Sequence, residues 1–153
     1  MKKLIVFGAV IILFLILAFT FFNKSQTSQT AIPTPPPAIQ KENTNITASF
    51  TIITGSITRS FTNPKYHNQS PDVYIQADNP SIVYAKKTGI TWDDFFKTLP
   101  MKLSKDCLIT GDGETLCDGK NGALKFYLND LETPDLLDRE IKQNDKILIK
   151  FTS

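Results

Sequence analysis

The alternation of hydrophobic and polar positions divides the chain into three parts. Residues 4–22 form an unbroken apolar run of nineteen residues in which Thr20 carries the single polar side chain. A helix needs about 20 such residues to cross the hydrocarbon core, so the run reads as a transmembrane span. Residues 23–45 reverse the pattern: Ser, Thr, Gln, Asn and Pro dominate, and only Ala31, Ile32, Ala38 and Ile39 are apolar. Such a segment buries too little surface to offset its ordering entropy. Pro33, Pro35, Pro36 and Pro37 bias its middle toward an extended spacer. From residue 46 to 153 apolar positions return, mostly with a period of two.

Within that third part the pattern predicts short strands. Residues 46–61, rich in Ile, Thr and Phe, read as a β-hairpin with Gly55 at the first turn position. Residues 62–71 read as a loop. Residues 72–77 alternate, with Val73 and Ile75 on one face and Tyr74 and Gln76 on the other, and residues 81–87 form a second β-like run. The period then changes: Trp92, Phe95, Phe96 and Leu99 fall at helical spacing. Thr91 is placed to cap that helix, Asp93 and Asp94 complement its positive end, and Pro100 stops it after about two turns. Residues 106–118 read as strand, Gly-rich turn and strand. Residues 123–128 form a strand, residues 134–139 a single helical turn, and residues 146–151 a closing strand with Ile147, Ile149 and Phe151 on one side.

One short helix among six or seven strands is α+β, with the helix on one face of a mixed sheet. The element order gives a β-grasp-like layout, preceded by a single amino-terminal transmembrane helix and a Pro/Ser/Thr-rich linker. The expected division is an anchor at residues 1–22, a linker at 23–45 and a β-grasp-like domain at 46–153.

Charge sharpens the deployment. Lys2 and Lys3 precede the apolar run, an arrangement that holds the amino end in the cytoplasm and sends the rest out. The apolar core is longer than that of a removed signal, and bulky Phe21 and Phe22 follow it, so an uncleaved single-pass anchor is expected. Seventeen Lys/Arg less those two leaves fifteen, against fifteen Asp/Glu. A neutral ectodomain has no basic field to gather phosphates, which removes the usual support for nucleic-acid binding.

Candidate chemistry is sparse. Cys107 and Cys117 bracket a Gly-rich turn, and outside the cytoplasm the default for such a pair is a structural disulfide. Exchange-active cysteines usually sit two residues apart at a helix start, a setting this spacing does not offer. Asp106, Asp112, Glu114 and Asp118 lie close to the turn; they read as a solvated acidic loop, with calcium binding as the alternative. His67 is the single histidine and is read as structural or incidental, so no metal, cofactor or catalytic residue is expected. Tyr66, His67 and Asn68, in a loop longer than a turn requires, are the candidate contact residues.

The stretches Gly89-Ile90-Thr91-Trp92-Asp93-Asp94-Phe95-Phe96, Leu124-Lys125-Phe126-Tyr127-Leu128-Asn129 and Asn144-Asp145-Lys146-Ile147-Leu148-Ile149, together with the two cysteines, resemble an uncharacterised group of membrane-anchored ectodomains of bacteria and archaea. The resemblance implies a β-grasp fold and, in some members, a metal site on paired histidines ahead of the helix. Tyr74, Gln76 and Tyr84 stand at those positions here, so that site is not carried over. The functional expectation is a membrane-tethered extracytoplasmic binding or interaction module, not an enzyme, whose partner is an envelope protein or surface ligand. The alternative is an envelope enzyme working by thiol–disulfide exchange or hydrolysis.

Overall fold

A computed structural model describes residues 43–119 and 122–152. The apolar run and residues 23–42 of the linker lie outside the described residues. Among the described residues no helix is long and apolar enough to cross a membrane.

Among the described residues the fold is mixed α+β, with ten strands and one α-helix. Strand β1 (Asn43–Thr54) starts three residues ahead of the expected domain boundary. From Ala48 onward it alternates, with Ala48, Phe50 and Ile52 buried, and it turns at Gly55 into the two-residue β2 (Ile57–Thr58). Gly55 has φ +60°, the left-handed conformation that the first turn position of this hairpin demands. Then come β3 (Val73–Ile75) and β4 (Ile82–Lys87), helix α1 (Trp92–Thr98), and β5 (Lys102–Leu103), β6 (Cys107–Ile109) and β7 (Thr115–Cys117). The chain finishes with β8 (Ala123–Leu128), β9 (Leu131–Glu132), a short 3-10 turn at Leu136–Asp138 and β10 (Lys146–Thr152).

The strands make two sheets rather than the single one expected. The larger has the order β3-β4-β1-β10-β8-β9, with β2 paired to the far end of β1; the smaller is β5-β6-β7. At the centre β1 and β10 run parallel, Phe50 opposite Ile147 and Ile52 opposite Ile149. Antiparallel β4 and β8 flank them. The strand, turn and strand read at residues 106–118 are β6 and β7; their separate sheet escapes a sequence reading because β5 is two residues long, too short to show a period.

Val73, Ile75, Val83, Ala85, Phe126, Ile147 and Ile149 line one face of the large sheet, and Trp92, Phe95 and Phe96 of α1 complete the core. The rings run as a chain of edge and tilted contacts. Phe50 lies 5.2 Å from Phe95 and 4.8 Å from Phe61, and Phe61 lies 5.1 Å from Tyr66. Through Phe61 and Tyr66 the aromatic core continues outward to the surface, where the cleft described below opens.

Helix α1 has seven residues, so its termini matter as much as its turns. Thr91 Oγ1 accepts from Asp94 N at 3.1 Å, and an Asp94 carboxylate oxygen accepts from Thr91 N at 3.0 Å, a reciprocal capping box. Thr91→Ala is expected to destabilise the fold by about 1 kcal/mol. Urea unfolding followed by the fluorescence of Trp92, the single tryptophan, measures it.

Candidate binding cleft

Two hairpins of opposite origin face each other at one end of the fold. One is β1–β2, which projects from the large sheet. The other is β6–β7, which belongs to the small one. Cys107 and Cys117 occupy opposite positions in the β6–β7 register and are joined as a disulfide. Hydrogen bonds from Thr110 N to Glu114 O and from Asp118 N to Asp106 O bracket the ladder. The cysteines therefore occupy a non-hydrogen-bonded position, where side chains approach closest; their Cα atoms are 4.0 Å apart.

Between these arms lies a cleft in two compartments. The inner one holds about 300 Å³ and has an apolar floor of Ile52, Phe61, Tyr66, Met101 and Leu108. The outer one holds about 550 Å³ and runs between Thr54, Gly55 and Ile57 on one side and residues 114–117 on the other. Ile57 and Arg59 border both. Ile57, 62% exposed, forms an apolar lip.

Two ion pairs reach the β6–β7 arm, one from Arg59 just after β2 and one from Lys65 in the 62–71 loop. Arg59 donates Nε–H to Thr54 Oγ1 at 2.7 Å and one Nη to the Glu114 carboxylate. Lys65 Nζ donates to Asp112 Oδ1 at 2.8 Å and to Gly111 O at 3.1 Å, tying the 62–71 loop to the tip of β6–β7. In both pairs the cation is the more sheltered partner: Arg59 is 25% exposed against 49% for Glu114, and Lys65 35% against 81% for Asp112. A Cβ at Gly111 would collide with the Tyr66 hydroxyl, so the glycine is what lets the tip settle onto that ring.

The hydrogen bond from Lys65 holds the Asp112 carboxyl below the usual aspartate range and raises Lys65 above the ordinary lysine value. The signs differ. The depressed Asp112 contributes stability above its unfolded value near 3.8, lost as pH falls through the lower folded value. The raised Lys65 contributes below its unfolded value near 10.5, lost as pH climbs through the higher folded one. The clamp is thus expected to hold across neutral pH and to release at both extremes. Carboxyl-carbon NMR should place Asp112 below 3.8 in the native chain, and Lys65→Met should return it toward that value.

Of the candidate contact residues, Tyr66 is buried and serves as a wall of the inner compartment. His67 turns its ring inward, where Nε2 donates to Phe61 O at 2.9 Å. Asn68 adopts φ 52° and donates its backbone N–H to Ile75 O. The four acidic residues near the disulfide are separately engaged. Asp112 and Glu114 pair with Lys65 and Arg59, Asp106 accepts from Ser104 Oγ, and Asp118 accepts from Leu124 N. Among the described residues no group of three or more His, Cys, Asp or Glu is placed to hold a metal ion. On the opposite face of the large sheet, Tyr74 and Tyr84 are cross-strand partners with stacked rings 5.6 Å apart. Arg59 and Gly111 went unrecognised in the sequence, because their roles depend on a contact between segments some fifty residues apart.

Comparison of the chain with protein-family models, with curated proteins and with solved structures finds no match.

Proposed function

We propose that the protein is a binding module of β-grasp type, held outside the cytoplasm by its amino-terminal apolar run, and that the cleft between the β1–β2 and β6–β7 arms receives its partner. One observation carries the reading: an apolar-floored cavity is framed by two separate hairpins, and one of those hairpins is closed by a disulfide. A disulfide is stable in an oxidising compartment. The apolar run after Lys2 and Lys3 supports delivery to that compartment. The β-grasp assignment rests on the parallel central pair β1 and β10 with antiparallel β4 and β8 outside it. The fold type leaves the partner open, so the cleft alone bears on recognition.

Thr58 is exposed and lines the inner compartment, so Thr58→Trp fills the mouth without touching the core. Native envelope extract passed over the immobilised full chain should leave a species that the wild type retains and Thr58→Trp loses. Identical retention by both would contradict the cleft as the binding surface.

A further inference from the structure

The arrangement of charge around the inner compartment narrows the class of ligand, an inference that rests on the cleft being the binding surface. The floor is apolar: Ile52 and Leu108, each 1% exposed, close its base, and the apolar surface open to a ligand is that of Ile57, Phe61 and Met101. A volume of about 300 Å³ is at the lower end for small-molecule sites and accommodates one ring with a short tail. The polar border carries one cation and one anion, Arg59 and Asp112, and the Asp112 carboxylate is already paired with Lys65. Arg59 lines the cavity, is fixed through Nε–H to Thr54, and spends one Nη on Glu114. Its second Nη has no hydrogen-bond partner among the described residues. Glu114 is the more exposed member of its pair. An exposed ion pair of this kind contributes little to stability, so a competing carboxylate can take its place at low cost. A guanidinium anchored on one side and open on the other presents the planar fork that binds carboxylates with two parallel hydrogen bonds.

We propose that the inner compartment binds a small amphipathic carboxylate, its ring or branched apolar group on Ile57, Phe61 and Met101 and its carboxylate on Arg59. No covalent step is involved. The apolar group supplies burial and the charge supplies selection, so the acid is preferred over its neutral amide.

The test uses methyl-labelled full chain in detergent micelles, with hydrocinnamate and its neutral amide as probes. Hydrocinnamate should shift the methyl signals of Ile57 and Met101 saturably, and the amide should bind about tenfold more weakly or worse. Arg59→Gln should erase that preference while leaving the apolar contact, and Thr58→Trp should abolish the shifts from both probes; the two variants also cancel partition into the micelle. Equal binding of acid and amide to the wild type, or a preference that survives Arg59→Gln, would overturn the carboxylate assignment while leaving the cleft in use. Absence of methyl shifts at millimolar probe would also overturn it. If, in addition, wild type and Thr58→Trp retained the same species from envelope extract, the cleft reading would fail with it.

Discussion

Phe95→Ala is expected to remove about 3–5 kcal/mol from the folding free energy. Phe95 is completely buried and touches the rings of Phe50, Trp92 and Phe96, at 5.2, 6.2 and 4.9 Å. It sits in a two-turn helix whose stability comes from its packed face, so truncation leaves a cavity at the junction of helix and sheet. A domain of this size has about 5–15 kcal/mol in total, so the variant should lie near the threshold of folding. Its urea midpoint should fall by about 2 M or more. Trp92→Phe should cost less. It also loses ring volume, but it removes an indole N–H that is buried without a hydrogen-bond partner among the described residues, itself a penalty of about 1–3 kcal/mol. An unchanged midpoint for Phe95→Ala would mean that α1 is not packed into the core.

The second large effect is loss of the disulfide. Cys107 and Cys117 are ten residues apart, and closing that loop restricts the unfolded chain by about 3 kcal/mol. The double variant Cys107→Ala, Cys117→Ala should lower the urea midpoint by about 2 M. The slope of the transition should steepen slightly, because the uncrosslinked unfolded chain exposes more surface. A second consequence is local. Leu108, Thr110 and Gly111 of the same hairpin form one wall of the inner compartment, so methyl signals of Leu108 should broaden in the variant before global unfolding begins. If midpoint and slope are both unchanged, the hairpin is held by its sheet and its ion pairs alone.

What the sequence made legible follows the range of each interaction. Helix α1 was readable down to its cap because Thr91, Asp94 and Pro100 act within a few residues of one another. The inward faces of β3 and β10 were readable because alternation survives in Val73 and Ile75 and in Ile147, Ile149 and Phe151. The division into two sheets was not, since nothing in Lys102-Leu103 marks a strand until Ile109 and Leu108 pair with it. The 62–71 loop shows the same limit. Its polar residues suggest a contact surface; Tyr66 lines the inner compartment, but its position there depends on its packing against the ring of Phe61, five residues earlier. Arg59 had no local signature at all: it matters because β6–β7 brings Glu114 to it across 55 positions of chain.

The central claim is that the cleft-bearing hairpin works oxidised, in the extracytoplasmic compartment to which the apolar run is proposed to deliver it. Mass spectrometry of the native protein, with thiols alkylated at the moment of lysis, tests that most directly. The account predicts a peptide pair linked through Cys107 and Cys117, and alkylation of both cysteines only after reduction. Both cysteines alkylated without reductant would contradict it.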